Sequence, residues 1–366
     1  MSRSTATATV TDIARHAGVS VGTVSRVLNG ATNISPDNLD SVQRAISKLG
    51  YKKHLPAPKP LMARKLGAGD RTGNIGMVFA GAGQAWTNHP LFAAYTVGVE
   101  QACQQNGLHA LIELSADDNE LPRCVAEQKI DGLLVKSTQS VPAFVKKLPA
   151  DLPVVFIGMN APGVAFPQVA PDSHGSGWLV ADYLWQRGHR RIGFVCTNAT
   201  HPQFITREQG VEGYLRQKEA YDPSLVIMRR AENGDSKNGL AAPEATPPNL
   251  ENEVAQLFSR PARQRPTAIV TANDWMAHGL YRALARHGLR VPQDVSVVGF
   301  DNMEPLCTVL DPMLTSYDVS FAAQSKAAAF DLFHLIENPA HRQDTSVRLV
   351  RGNIVERQSV GAVNIQ

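Results

Sequence analysis

Several features that define common classes of protein are missing from this sequence. Its four cysteines stand far apart and form no Cys-x-x-Cys pair, so we expect buried thiols rather than a zinc knuckle or a redox centre. No apolar run reaches the roughly 18 residues of a membrane span, and residues 1–10 lack the apolar segment of a secretory signal. Histidines and carboxylates nowhere take a metal-ligand spacing. These absences predict a cytoplasmic protein that uses no cofactor and no metal.

The charge of the chain is distributed unevenly. The 366 residues are 43% hydrophobic and 19% charged, as in an ordinary folded protein of two or three compact units. Residues 1–66 hold ten basic and three acidic residues, a net charge of +7, whereas the rest of the chain holds 26 basic and 30 acidic residues. This local excess favours binding to a nucleic acid backbone, although a solvated basic tail gives the same count.

Residues 11–29 have the pattern of two short amphipathic helices joined by a tight turn. Apolar residues fall on one face of each predicted helix: Ile13, Ala14 and Ala17 on the first, and Val21, Val24, Val27 and Leu28 on the second. Gly18 suits the positive φ that ends the first helix, and Ser20 suits the N-cap of the second. The pattern predicts a helix-turn-helix, with a plain helical hairpin as the alternative.

A third helix is predicted from Pro36 to Lys48, with Ser35 as its N-cap. Its inward-facing residues are predicted to be Leu39, Val42, Ile46 and Leu49. Three such helices close a small core and leave one face of the second helix exposed. The side chains predicted on that face are small or form hydrogen bonds, as contacts in a major groove require: Val21, Gly22, Ser25 and Arg26.

The run from Val10 to Asn29 contains Ala-Gly-Val-Ser and Thr-Val-Ser-Arg-Val-Leu-Asn and resembles the LacI/GalR family of transcription regulators. The resemblance extends, with gaps, to about residue 357. It implies that bases are read at Val21, Gly22 and Arg26, and that phosphates or adjoining bases are contacted by Ser20, Thr23, Ser25 and Asn29, with Thr11 as a further DNA contact. Gly22 offers no side chain at its position, so base reading there relies on its neighbours.

Residues 55–72 are predicted to form a linker that includes a hinge helix. Pro56, Pro58 and Pro60 favour a stiff, extended connector, and residues 61–66 are good helix formers. In the family an Ala-Arg-x-Leu segment forms a helix on DNA and its leucine wedges into the minor groove, which by resemblance makes Ala63 and Leu66 DNA contacts. The connector is longer than the family norm and lacks the customary asparagine, so a plain proline-rich linker is the alternative.

From residue 74 onward, short apolar runs alternate with amphipathic stretches, as in parallel strands joined by crossover helices. The predicted strands are Ile75–Phe79, Leu108–Leu114, Gly132–Val135, Val154–Ile157, Ile192–Val195, Leu225–Arg229, Ala268–Val270 and Val295–Phe300. The clearest predicted helices are Leu91–Gln105, Gly177–Arg187, Arg207–Lys218 and Asp274–His287. Residues 231–252 have no periodicity and are predicted to be a surface loop or a disordered insert.

This doubly wound pattern occurs twice, which places a ligand in the crevice at the carboxyl ends of the strands, between the two halves. Asn273 and Asp301 each follow an apolar strand directly. The family resemblance implies that the effector is contacted by Arg207, Asn273 and Asp301, with Phe92 and Phe321 as apolar surface and Asp172 in the same cleft. Trp86 and Trp275 lie near the predicted mouth, where an indole suits a sugar ring or a base.

Ordinary structural roles are the alternatives for several of these residues. Asp172 and Asp274 suit helix caps, Phe92 suits a helix core, and Arg207 is an unremarkable residue at the start of a surface helix. Either indole also suits the core. Gly158 stands where many sugar-responsive relatives carry an aspartate, which argues against a standard hexose-binding geometry.

Together these observations predict an all-α three-helix helix-turn-helix head (1–54), a linker (55–72) and an α/β periplasmic-binding-protein-like core of two doubly wound parallel-sheet subdomains (73–366). The resemblance implies a homodimeric transcription regulator, a repressor on a pseudo-palindromic operator, whose DNA affinity is controlled by a sugar or sugar derivative. A purine or nucleoside is the alternative effector. A dinucleotide-dependent enzyme is disfavoured because residues 80–86 lack the third small residue at the required spacing, and the next predicted strand does not end in an acidic residue. An exported solute receptor needs a signal segment and no helix-turn-helix.

Overall fold

A computed structural model describes residues 9–28, 34–49, 71–137, 140–230, 247–342 and 345–363. The chain separates into two compact units, residues 1–61 and residues 62–366. The sequence placed the end of the head at residue 54, and that finer boundary stays a prediction. Among the described residues, no helix combines the length and apolar character needed to cross a membrane.

The first unit contains the three predicted helices, α1 (Val10–Ala17), α2 (Val21–Leu28) and α3 (Pro36–Leu49). Thr9 begins α1 with a capping box, in which its hydroxyl accepts from the backbone N–H of Asp12 while the Asp12 carboxylate accepts from the N–H of Thr9. Gly18 ends α1 in the left-handed region, with φ of 68°. The Ser20 Oγ accepts the N–H of Thr23 at 3.1 Å. The predicted turn chemistry is therefore confirmed.

The core of this unit is small, and one of its predicted members was wrong. Its buried residues are Ile13, Ala14, Val24, Val42 and Ala45. Leu39, predicted to face inward, is 39% exposed. The reason is length: α1 and α2 have eight residues each and cover only part of the 14-residue α3. The buried residues of α3 are Val42 near its middle and Ala45 about one turn later, whereas Leu39 lies in the first turn.

The described residues of the second unit form two six-stranded sheets. The strands of the first sheet are β1 (Asn74–Ala80), β2 (His109–Ser115), β3 (Gly132–Lys136), β4 (Val154–Ile157), β5 (Gln168–Pro171) and β11 (Val347–Val350). The strands of the second sheet are β6 (Ile192–Cys196), β7 (Val226–Met228), β8 (Ala268–Thr271), β9 (Ser296–Phe300), β10 (Thr315–Asp318) and β12 (Asn353–Val355). Their orders are β11-β5-β4-β3-β1-β2 and β12-β10-β9-β8-β6-β7, parallel except for the antiparallel edge strand β12.

Helices cover the faces of both sheets, so the strands are buried on two sides. The helices of the first lobe are α4 (Pro90–Asn106), α5 (Arg123–Ala126) and α11 (Phe321–Glu337). The helices of the second lobe are α6 (Ser173–Gln186), α7 (Pro202–Gln217), α8 (Glu251–Phe258), α9 (Asp274–Arg286) and α10 (Glu304–Cys307). Short 3-10 helices lie at Gln84–Asn88, Ala143–Lys147, Pro223–Leu225, Ala262–Gln264 and Pro339–His341. This is the predicted pair of doubly wound subdomains.

All eight predicted strands are present, and the described ranges contain four further strands that were missed. The missed strands β5, β10, β11 and β12 have three or four residues each, and β10 reads Thr-Ser-Tyr-Asp, so none has a long apolar run. Two helices begin earlier than predicted, α6 at Ser173 rather than Gly177 and α7 at Pro202 rather than Arg207. The predicted loop at 231–252 ends in α8, which begins at Glu251, and its residues 231–246 lie outside the described residues.

Where the structure describes the chain, it passes between the two lobes three times, at residues 171–173, 318–321 and 350–353. Hydrogen bonds join these crossings to one another. The N–H of Asp172 donates to the carbonyl of Val350 at 3.0 Å, and the N–H of Gly352 donates to the Tyr317 hydroxyl at 2.8 Å. The crossings form a hinge on one side of the cleft between the lobes.

The four cysteines are free thiols and are buried, as predicted. Burial raises the pKa of Cys103, Cys124 and Cys196 to about 12. These thiols therefore stay protonated and act as small apolar core residues.

Candidate functional site

The exposed face of α2 is the first candidate site. Val21 is 48% exposed, and Gly22, Ser25 and Arg26 are exposed beside it, whereas Val24 is fully buried against α1 and α3. A helix held by one buried residue and flanked by small exposed ones can enter a DNA groove. This face contains the four residues that the sequence predicted for base-edge contact.

The remaining predicted DNA contacts have mixed placements. Thr11 is exposed in the first turn of α1. Ser20 and Thr23 share a hydrogen bond between their hydroxyls at 2.9 Å, so both also act at the N-terminus of α2. Asn29, Ala63 and Leu66 lie outside the described residues, as does most of the predicted hinge segment.

The second candidate site is a cleft of about 500 Å³ between the two lobes of the second unit. It lies at the carboxyl ends of the strands, where the doubly wound pattern placed it. Six of the eight predicted effector contacts line it: Trp86, Arg207, Asn273, Trp275, Asp301 and Phe321. Trp86 is largely buried and Trp275 is half-buried, so each indole packs on the protein as well as lining the cleft.

A buried ion pair lies at the centre of this cleft. The Arg207 Nη2 donates to Asp301 Oδ1 at 3.0 Å, and the two side chains are only 1% and 8% exposed. The Arg207 Nη1 also donates to the carbonyl of Ala272 at 2.6 Å. The guanidinium carbon lies 4.7 Å from the centre of the Phe300 ring. The pair is thus held by hydrogen bonds and a cation–π contact, as a buried charge requires.

Two local features place this ion pair. Asp301 follows β9 with φ of 97°, a left-handed backbone that a residue other than glycine adopts only where the surroundings enforce it. Arg207 lies in α7, which packs closely on α6 because Gly177 and Gly210 leave no side chain between the helices. A Cβ at either position would collide with backbone of the other helix. Close helix packing therefore brings the arginine into the cleft.

Asn273 and Asp274 both act structurally at the start of α9. The Asn273 Oδ1 accepts the N–H of Met276 at 2.9 Å, which caps the helix and leaves the amide nitrogen for the cleft. Asp274 is fully buried and accepts from the N–H of Met303 at 2.7 Å and from the Ser316 hydroxyl at 2.6 Å. Burial, with a contribution from Asp301, raises the pKa of Asp274 to about 7. Asp274 anchors the loop after β9 rather than facing a ligand.

Two predicted effector contacts lie outside the main cleft. Phe92 packs on Phe79 with ring centres 4.8 Å apart and lies partly buried against the core, which agrees with its alternative role. Asp172 caps α6 by accepting the N–H of Gly175 at 2.9 Å and pairs with Arg351 at 3.0 Å. It lines a separate cavity of about 270 Å³ next to the crossings. Tertiary packing thus places both residues beside the cleft, not in it.

The sequence analysis missed three ionisable residues that line the cleft, Lys136, His89 and His201. Lys136 directly follows the predicted strand Gly132–Val135, so the strand-end rule that selected Asn273 and Asp301 also selects it. Burial lowers the pKa of Lys136 to about 7, an effect that Asp301 partly offsets. Burial also lowers the pKa of His89, and it lowers that of His201 to about 3. No comparable pattern marks the two histidines.

Comparisons with known proteins agree with this architecture. Residues 9–54 match the model of the bacterial regulatory proteins of the lacI family, and residues 181–360 match the periplasmic binding protein-like domain. The chain is 30% identical over 364 residues to the HTH-type transcriptional repressor PurR of Edwardsiella ictaluri, covering 96% of this chain and 97% of that protein. It is 29% identical over 345 residues to the ribose operon repressor of Haemophilus influenzae, covering 93% and 95% of the two chains.

A similar solved structure is a complex of the transcriptional regulator CelR with cellobiose, with a TM-score of 0.63 and 25% identity. The match covers 96% of this chain and 99% of that chain. Two parallel-sheet lobes around a cleft, in one chain with a helix-turn-helix, define a ligand-responsive DNA-binding transcription regulator. The chain belongs to the lacI family of bacterial regulatory proteins.

Proposed function

We propose that this protein is a homodimeric repressor whose affinity for a pseudo-palindromic operator is set by a carbohydrate bound in the cleft. The observation that carries the proposal is the buried Arg207–Asp301 pair, which lies in a cleft of about 500 Å³ within a chain that also presents an exposed recognition helix. Ligand that binds the closed cleft more tightly than the open one shifts the balance of the two states, and operator affinity follows.

The DNA-binding part of the proposal rests on α2. Its exposed residues Val21, Ser25 and Arg26 are the base contacts, and the hydroxyls of Thr11, Ser20 and Thr23 are contacts to the backbone or adjoining bases. One helix of this length reads one half-site, so two chains are needed for a full operator. Asn29, Ala63 and Leu66 complete the proposed contacts. Because its target is chromosomal DNA, we place the protein at the nucleoid.

The effector part rests on the chemistry of the cleft. Arg207, Asp301 and Asn273 offer charged and amide groups to hydroxyls, with Trp86, Trp275 and Phe321 as apolar surface. The Arg207 Nε is buried and has no hydrogen-bond partner within the described part of the chain, so it is a donor for a ligand. Relatives include a ribose operon repressor and a cellobiose complex, which favours a carbohydrate. A purine or nucleoside is the second candidate because two indoles line the cleft.

Regulation rather than catalysis is proposed because the acidic residue of the cleft and the oxygen of Asn273 already have structural partners. Asp301 pairs with Arg207, and the Asn273 oxygen caps α9. A general base needs an available lone pair within reach of a substrate proton, and Asp301 already accepts a hydrogen bond from Arg207 through Oδ1.

The test is operator selection from genomic fragments with the full-length protein, followed by binding assays across salt concentrations. We expect one preferred duplex, a steep fall in affinity with salt, and a loss of about 1–3 kcal/mol for Arg26→Ala. Arg44→Ala is the matched control, since Arg44 is exposed in α3 and already pairs with Asp40. Equal affinity for all duplexes would refute the DNA-binding proposal, and operator affinity unchanged by every stabilising ligand would refute effector control.

A further inference from the structure

Lys136 is a buried cation with no acidic partner. It is the last residue of β3, lines the cleft and is 2% exposed. Its ammonium lies 5.0 Å from the centre of the Tyr95 ring, and it takes part in no hydrogen bond or ion pair among the described residues. Burying an ammonium without a partner is costly. Stability of the fold therefore does not account for a lysine at this position.

Gly158 makes the space for this ammonium. β3 and β4 pair with Lys136 opposite Ile157, so Gly158 is the next residue along the neighbouring strand. Gly158 has φ of 81°, and a Cβ there would collide with the Lys136 Nζ. A side chain of any size at residue 158 would therefore displace the lysine. β4 lies on one side of the ammonium and Tyr95 lies on another, so a hydrogen-bond acceptor can reach the ammonium from the cleft.

The charges around Lys136 do not neutralise it. Asp301, from the end of β9, is hydrogen-bonded to Arg207 of α7, so this acidic residue of the cleft already has a cationic partner. His201 at the start of α7 and His89 before α4 are neutral near pH 7, because burial lowers the pKa of both. Burial raises the pKa of Tyr95 in α4, so it too is neutral. Protonated Lys136 is left as a net positive charge.

We infer that the effector is an acidic carbohydrate whose carboxylate or phosphate group binds Lys136. This inference rests on the proposed carbohydrate-responsive function and adds the class of ligand. An oxyanion supplies the acceptors that the ammonium lacks, and a charge-assisted hydrogen bond is stronger than a neutral one. His201 is a second donor for the same group, because its Nδ1 is buried without a hydrogen-bond partner in the described part of the chain.

Binding of such a ligand takes up a proton. Burial lowers the pKa of Lys136 to about 7, so part of the empty protein carries a neutral lysine at neutral pH. An anion binds the protonated form, and its affinity should fall by up to about tenfold per pH unit above that pKa. His89, His201 and Tyr95 do not titrate between about pH 7 and pH 8.5. Asp274 does titrate in this pH range, but it is fully buried and does not line the cleft. Its contribution to the pH dependence therefore persists in a Lys136 variant.

The experiment is a thermal-shift screen of the full-length protein with matched sets of neutral and acidic carbohydrates, followed by calorimetry on the hits. One set is glucose, gluconate, glucuronate and glucose 6-phosphate, and another is ribose and ribose 5-phosphate. We expect an acidic member to bind at least about tenfold more tightly than its neutral counterpart. Comparison of the uronates and aldonates with the sugar phosphates then separates the two kinds of oxyanion.

Lys136→Met is the test variant, because methionine matches the length of the lysine stem without its charge. It should lose the preference for the acidic ligand and the fall in affinity between about pH 7 and pH 8.5, while the unliganded protein keeps or gains thermal stability. Exposed Lys129, whose partner is Glu127, gives the control Lys129→Met. If the best ligand is a neutral sugar, or if Lys136→Met binds the acidic ligand as tightly as wild type, the inference is wrong and the proposed function stands. If no carbohydrate in the screen binds, both the inference of an acidic ligand and the proposed control by a carbohydrate are wrong.

Discussion

At the residue scale, Asn273 and Asp301 each have two roles, because they support the fold and also line the cleft. Asn273 caps α9 with its oxygen while lining the cleft, and Asp301 adopts a left-handed backbone while pairing with Arg207. Such placement makes the cleft rigid before a ligand arrives, because each side chain is held by bonds that exist without the ligand. It also makes these residues sensitive to substitution.

Arg207→Ala should lower the free energy of unfolding by about 3–5 kcal/mol, because it leaves the Asp301 carboxylate buried without its partner. The double variant Arg207→Leu with Asp301→Asn should lose less, because it removes both charges and asparagine tolerates the left-handed backbone at residue 301. Urea denaturation of the full-length protein measures each value.

The control for this pair lies on the same helix. Arg216→Ala removes an exposed arginine of α7 that pairs with Glu212, and it should cost less than about 0.5 kcal/mol. An Arg207→Ala variant as stable as Arg216→Ala would show that the stability of the fold does not depend on the Arg207–Asp301 pair.

At the scale of secondary-structure elements, α3 decides whether the head is folded. Its residue Val42 is fully buried among α1 and α2, whereas Leu39 on the same helix is 39% exposed. Only five residues are buried in the described part of this core, and so small a core has little stability to lose. The recognition helix α2 is only eight residues long and depends on this packing, since a helix of that length is not stable alone.

Val42→Ala should destabilise the head by about 2 kcal/mol and weaken operator binding, because it leaves a void in the small core. Leu39→Ala removes a larger side chain and should leave operator binding within twofold of wild type, since that side chain is exposed. Hydrogen exchange of the amides in α1–α3 and gel-shift titrations measure the two effects. Ligand binding by residues 62–366 should be unchanged in both variants, and equal damage by the two would contradict the assigned core.

At the scale of the whole second unit, a hydrogen bond joins the two lobes beside the cavity next to the crossings. The Gln203 Nε2 of α7 donates to the carbonyl of Gly158 at 2.7 Å, which joins the second lobe to the first. A neutral hydrogen bond of this kind is worth about 1 kcal/mol. That is enough to shift the populations of open and closed states several-fold.

Gln203→Ala should therefore increase the open population of the unliganded protein by about fivefold. Distance distributions between spin labels on the two lobes, recorded without ligand, measure that population. Thr206→Ala is the control, because the Thr206 hydroxyl bonds within α7 to the carbonyl of Pro202. Identical distributions for wild type and Gln203→Ala would show that this contact does not hold the lobes together.

Prediction from sequence succeeded where the determining contacts are local. The helix-turn-helix follows from Gly18, Ser20 and the apolar spacing, all within one short segment, and each of these features is present in the structure. The inner strands follow from continuous apolar runs. Prediction failed at β5, β10, β11 and β12, since short strands with polar residues form only where an existing sheet offers its backbone groups.

The sequence by itself determined the helix-turn-helix head, the two doubly wound sheets and the strand-end position of Asn273 and Asp301, because capping, periodicity and strand order are encoded over short distances. Only the tertiary structure decided which of those side chains meet. Arg207 and Asp301 are 94 residues apart in the chain, and Lys136 lies next to Gly158 through strand pairing. The burial of charge that gives this cleft its chemistry arises from packing between distant segments, which no local pattern specifies.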